Sequence, residues 1–367
     1  MPEIWLGYGS SHVVLDIKQE NLLEFTPELN MMSDENIRDV LTTIKVSKAI
    51  LIFPLSSSKH VLKITSLLIE LIKSDESIKI EIGSFSTNFL SIKNHFVQNK
   101  VFQIDKNNFN EVITKFDHII IISKIGYDPL FGFNIIPSIV TRNLFNDMMN
   151  DIFWSNEIIR PFPGQINEPL KIALEHYDKL NIHSLEVLSN QHGISRLYYG
   201  VNSKFYKDTL SDFKSNTIFN IDEQKLLIVS AGSELDNHLT LNNSLYSLWN
   251  CIGILKKRGT AVLLAENSNG LGEGALTMYL EGRLNLSKIK KLNYINGLEH
   301  LIYFENLKDD YNLGLVSSIP FYYAKTKFGL NTFNNVKGVL ENLLSHYGKS
   351  IKVMICAEPS ITLFFKK

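Results

Sequence analysis

Residues able to do chemistry gather where apolar runs end. Ser56, Ser58 and Lys59 follow the apolar run Lys48 to Phe53 and precede a helical pattern reaching about Ile72. Hydroxyls and a cation at a strand end and helix start form an anion pocket, because the free N–H groups and dipole of the helix favour negative charge. A serine cap beside a solvated lysine describes the same residues. Gly232, Glu234 and Asp236 follow a second run, Leu226 to Ala231. Glu266, Gly270 and Gly272 follow a third, Thr260 to Ala265. Gly270, Gly272 and Ala275 have the G-x-G-x-x-A spacing that lets backbone approach a phosphate, and a plain strand-to-helix turn has it too. The ligand candidates are therefore Ser56, Ser58, Lys59, Gly232, Asp236, Glu266, Gly270 and Gly272.

These positions need a scaffold. Leu241, Leu245, Leu248, Ile252 and Leu255 recur at spacings of four and three, which predicts a helix. Lys256 to Arg258 read as its last turn and Gly259 as its stop. Lys225 to Arg283 is thus a strand–helix–strand unit, its strands parallel through a right-handed crossover. Such a unit presents ligands at the carboxyl ends of its strands.

Elsewhere, Ile4 to Tyr8 and His12 to Ile17 read as a hairpin around Gly9, and Met32 to Ile44 as a helix capped by Ser33. Ile78 to Gly83, Phe116 to Ser123, His183 to Leu188, Asn312 to Val316 and Ile351 to Cys356 read as strands. The polar stretch Ser215 to Gln224 reads as a linker. The expected class is α/β with two domains, 1–217 and 218–367. Each is a mostly parallel sheet flanked by helices, and a cleft lies between them.

Composition excludes several classes. At 367 residues the chain exceeds one ordinary core. Its 44% hydrophobic and 20% charged content is that of a globular protein. A formal net charge of -1 recruits neither nucleic acid nor an anionic membrane. The 2 cysteines, Cys251 and Cys356, lie in apolar surroundings and read as buried thiols of a cytoplasmic protein. No metal-ligand spacing stands out, and no run approaches the ~18 apolar residues of a membrane span.

The stretch Ile228-Val-Ser-Ala-Gly-Ser, Asp236, Gly259, Leu264-Ala-Glu and Gly270-Leu-Gly-Glu resembles the C-terminal domain of the nickel-dependent lactate racemase family. The resemblance extends over nearly the whole chain, from the start Ile4-Trp-Leu-Gly-Tyr-Gly to the close Ile351-Lys-Val-Met-Ile-Cys. It implies the two-domain fold and a cleft for a 2-hydroxy acid. At its "D-x-T-R-P" segment stand Ser56, Ser58 and Lys59, so Lys59 takes the place of the anion-binding arginine. Phe85 and Asp128 stand where it implies catalytic histidines. The segment with the lysine that carries its nickel-pincer nucleotide falls in a gap between Asn134 and Pro137.

The expectation is therefore a protein of this kind that binds a small anionic ligand in the cleft, with neither the nickel-pincer cofactor nor a protein-held metal. Asp128 as base and Lys59 as electrophile are the candidates for an active racemase or epimerase; Asp128 before Pro129 also reads as a turn aspartate. A non-catalytic α/β binding or assembly protein is the remaining alternative.

Overall fold

The computed structural model describes residues 3–46, 48–73, 75, 77–155, 160–232, 234–286, 293–348 and 350–367. Two six-stranded sheets organise the chain. In the first, the strands run in the order Gly193–Gly200, His183–Asn190, His118–Lys124, Ala49–Pro54, Lys79–Ser84, Lys100–Gln103. All neighbours are parallel except the hairpin formed by the first two. In the second, the order is Asn331–Phe333, Asn312–Val316, Leu255–Leu264, Gln224–Ser230, Val353–Cys356, Leu22–Glu24, and every pair is parallel.

The central strands read as near-continuous apolar runs because helices cover both faces. Ile50, Leu51, Ile52 and Phe53 are fully buried, as are Leu226 to Val229. The helix Lys59–Ile72 lays Val61, Ile64 and Leu68 on one face of the first sheet. On the other face an apolar cluster runs from Leu51 and Phe53 through Phe131, Phe133 and Phe213 to Leu227, Val229 and Leu263 of the second sheet. The fold class is thus the expected one: parallel-dominated α/β sheets flanked by helices.

Strand order locates the ligand-binding edge. In the first sheet the chain starts at Ala49–Pro54, adds two strands on one side, then crosses to His118–Lys124 on the other. In the second it moves outward from Gln224–Ser230 through three strands, then returns to place Val353–Cys356 on the opposite side. Each reversal opens a crevice at the carboxyl ends of the two diverging strands.

Some elements differ from the sequence expectation. The helix predicted through Arg258 ends at Cys251, a 3-10 turn covers Ile252–Ile254, and a strand starts at Leu255. Leu255 pairs with Gln224, and the register then shifts so that Leu226 faces Thr260. Lys256 to Gly259 stand opposite Lys225 alone, so three of these four residues are the excess of that shift. Arg258 adopts a φ of 60° there, and its N–H donates to Asp310 O at 2.7 Å. The stretch read as a linker contains the end of the helix Asn202–Thr217 and the strand Ile218–Ile221, which pairs with Leu363–Lys366. The hairpin of Glu3–Tyr8 and Ser11–Asp16 is present, but it packs with Leu226, Val262 and Val339 of the second sheet's layer. Leu22–Glu24 joins the second sheet as well, although it lies in the first 217 residues.

Candidate functional site

The two switch points open onto one cavity. It has a volume of about 320 Å³. Leu55, Ser56, Ser123 and Lys124 reach it from the first sheet's diverging strands, and Glu234, Tyr246 and Asn250 from the second half. A side crevice of about 50 Å³ shares Lys124, Glu234, Asn237 and Ser360 with it and adds Lys59, Gly232 and Glu358. Amides recur around the larger cavity, including Asn88, Asn134, Asn143, Asn237 and Asn296. Asn250 is 3% exposed and donates to Tyr127 O and Pro359 O, while its Oδ1 has no hydrogen-bond partner.

A buried ion cluster closes one wall. Arg142, on the helix Ile136–Leu144, donates to Asp128 Oδ2 at 2.8 Å, to Tyr294 Oη at 3.0 Å and to Glu299 Oε1. Tyr246 and Tyr294 donate to Glu299 at 2.9 and 3.0 Å. The guanidinium lies 5.3 Å from the Phe131 ring centre and 5.2 Å from that of Tyr246, a cation–π sandwich. Burial opposes the charge on Arg142, but Asp128, the tyrosines and Glu299 hold its pKa above the ordinary value. Burial likewise pushes Glu299 up, but Arg142, His300 and the hydrogen bonds to the carboxyl together outweigh it and leave it below its usual range. Asp128 and Arg142 belong to the first half and Glu299 to the second, so the cluster pins the halves together.

A second bridge joins Lys124 and Glu234 at 2.8 Å. Burial raises the Glu234 carboxyl, yet Lys124 carries it below the usual value. Lys59 Nζ donates to Gln191 O at 3.1 Å, and Gln191 N–H donates to Glu358 Oε1 at 3.1 Å.

The residues singled out from sequence divide. Ser56 and Asp128 line the cavity; Lys59 and Gly232 line the crevice. Ser58 is the buried N-cap of Lys59–Ile72: its Oγ accepts from Val61 N–H, and its own N–H donates to Ser56 Oγ at 3.0 Å. Asp128 is committed on both oxygens, for Oδ1 accepts from Leu130 and Phe131 N–H at 2.7 and 2.8 Å. Glu266 lies against the hairpin turn, where a Cβ on Gly9 would meet its Oε2 at 1.8 Å. Gly270 and Gly272 line neither space. Gly270 O accepts from Leu241 N–H and Leu271 O from Asn242 N–H, so the turn packs on the start of the helix Leu241–Cys251. The side chain of Asp236 lies outside the described residues. Sequence reasoning passed over Arg142, Glu299, Lys124 and Glu358. The available signal for Arg142 and Lys124 was a single cation closing an otherwise apolar helix or strand.

Such an arrangement, two doubly wound, mostly parallel sheets with their switch points facing across a polar cavity, defines the class of fold. No protein-family model matches the sequence, and no curated protein matches it. Among solved structures, the lactate racemase apoprotein from Thermoanaerobacterium thermosaccharolyticum aligns over 99% of this chain and 100% of its own, with a TM-score of 0.76 and 14% identity. A protein from Thermotoga maritima aligns over 94% of this chain and 100% of its own, with a TM-score of 0.66 and 13% identity. The chain has a lactate-racemase-like fold. Phe85 and Asp128, the positions where the resemblance implies histidines, both line its cavity. Among the described residues no three His, Cys, Asp or Glu side chains gather as metal ligands would, and no helix is long and apolar enough to cross a membrane.

Proposed function

We propose that the protein binds a small anionic hydroxy acid in the cleft between its sheets, without the nickel-pincer nucleotide. The observation that carries this reading is the convergence of both switch points on one polar cavity with lysines at one end. Lys59, held only by a carbonyl oxygen, meets the carboxylate, and the amides take the hydroxyls. Asn250 Oδ1, buried and unpartnered, is an acceptor suited to a ligand hydroxyl. Ligand pockets of a few hundred Å³ with few placed polar groups are the ordinary case.

The residues do not suit the nucleotide. Its attachment lysine would fall between Asn134 and Pro137, where the strand Gly132–Asn134 runs directly into the helix at Ile136. Lys124 is engaged by Glu234, and Phe85 packs on Phe53 with ring centres 4.9 Å apart where an imidazole would be needed.

Purified protein is expected to have its unmodified mass and no stoichiometric nickel. In titration calorimetry with lactate and malate, Lys59→Ala should weaken binding about three- to fivefold, the cost of losing one exposed charge contact of up to about 1 kcal/mol. Equal affinities for the two proteins would remove the carboxylate from this crevice. A covalent nucleotide adduct would overturn the cofactor-free reading.

A further inference from the structure

A groove of about 340 Å³ shares only Lys59 with the side crevice and no residue with the main cavity. Three segments of the first half build it. Met31 and Met32 precede the helix Asp34–Thr42, Lys59, His60 and Lys63 lie at the start of the helix Lys59–Ile72, and His192 to Ile194 turn between the strands of the hairpin. Met32 N–H donates to Ile194 O at 2.8 Å, and a Cβ on Gly193 would meet Met31 Sδ at 3.2 Å, so the methionine segment is seated on that turn. Lys59 Nζ ties the helix to the same turn through Gln191 O, and Lys63, one helical turn on, is held by Asp34 at 2.6 Å.

We propose that this groove is a second binding site, for a soluble phosphate monoester with a short aliphatic body, its phosphate at the N-terminus of Lys59–Ile72 and its body along Met31, Met32, Ile37 and Ile194. The site is separate from the cleft and does not rest on the hydroxy-acid reading.

Two independent features point to an anion there. The first is the helix start: Ser58 Oγ takes the N–H of Val61, and the N–H groups of Lys59 and His60 are the remaining donors of that turn, at the positive end of the helix dipole. The second is His60 itself. It lines the groove and is 6% exposed, yet its Nδ1 has no hydrogen-bond partner. Burial, with Lys59 adding to it, holds its pKa down to about 4, so the ring is neutral and carries one N–H to give. A buried polar nitrogen without a partner is costly, and an acceptor oxygen on a ligand relieves it. The ammonium group of Lys63 and the imidazole of His192 add donors, and no carboxylate is among the described residues lining the groove. A phosphate dianion has the three oxygens that such a set of donors can fill. The opposite wall is aliphatic, and its methionines adapt to the shape of what they cover.

The test titrates the full chain by calorimetry with hexyl phosphate, inorganic phosphate, hexanoate and phosphatidylcholine vesicles bearing phosphatidic acid. Nitrogen-15 NMR follows the imidazole signals of His60 and His192. Hexyl phosphate should bind at least about tenfold tighter than inorganic phosphate, through its buried methylenes, and tighter than hexanoate. It should shift both imidazole signals. Lys63→Glu should weaken it about tenfold, and Met31→Glu, which sets a carboxylate in the groove, should abolish binding. Both positions are exposed, and unchanged urea midpoints report that the variants are folded. The proposal is overturned if hexyl phosphate does not bind, if hexanoate matches it, if both variants keep wild-type affinity, if the two imidazole signals stay in place in the bound state, or if binding is seen on vesicles alone.

Discussion

Arg142→Ala is expected to lower stability by about 3 to 5 kcal/mol, read as a fall in the urea midpoint at an unchanged m-value. The Arg142 side chain is 11% exposed, with Asp128 at 7% and Glu299 at 0%. Removing the cation leaves two carboxylates buried without a counter-charge, which costs far more than the pair itself contributes. The remedy distinguishes this cause from lost packing. Adding Asp128→Asn and Glu299→Gln to Arg142→Met should restore most of the loss, since the amide oxygen introduced by Asp128→Asn still accepts from the N–H groups of Leu130 and Phe131. If the triple variant is no more stable than Arg142→Met alone, the cost lies in packing against Phe131 and Tyr246.

The same cluster shapes what the cleft can bind. Its guanidinium is already neutralised by two carboxylates, so an incoming anion gains little from it. Lys124 is likewise balanced by Glu234. Lys59 differs, because it is held by a carbonyl oxygen and keeps its net charge. That is why the carboxylate of a ligand is assigned to the crevice end.

What the sequence revealed follows the range of the forces involved. Strands were legible because they are buried on both faces: Phe116 to Ser123 is observed as His118–Lys124, and Leu226 to Ala231 as Gln224–Ser230. The caps Ser33 and Ser58 were legible because capping is local. The end of the helix Leu241–Cys251 was not, since apolar spacing continues through a 3-10 turn and the basic residues of a strand irregularity look like a helix terminus. The pairing of Leu22–Glu24 with Val353–Cys356 depends on the whole topology. The ion cluster was the least legible, for Arg142 meets Glu299 157 residues later in the chain. No local pattern marks such a pair. The resemblance to lactate racemases anticipated the fold and the cavity position of Phe85 and Asp128, but it drew attention to groups that are missing and away from the charges that are present.

Glu186→Gln is expected to stabilise the protein above neutral pH and to flatten its stability profile. Glu186 is fully buried; its Oε1 accepts from Ile136 N–H at 2.7 Å and from Tyr206 Oη at 3.1 Å, and its Oε2 has no partner. It thereby caps the helix that carries Ser138 and Arg142 to the cavity. Burial pushes this carboxyl from 4.5 up to about 8. Between those limits the folded protein keeps a proton that the unfolded chain has released, so stability falls as pH rises, by about 1.4 kcal/mol per unit for this group alone. Over the whole interval the loss is on the order of 4 kcal/mol at most. Glutamine keeps the acceptor oxygen for Ile136 and Tyr206 and cannot ionise, and its amide replaces a hydroxyl that was equally unpartnered. Urea unfolding at pH 5 should find the two proteins similar, and at pH 8 the variant ahead by several kcal/mol. Parallel profiles across that range would mean that Glu186 is ionised in the folded state, with its charge met by the N-terminus of the helix.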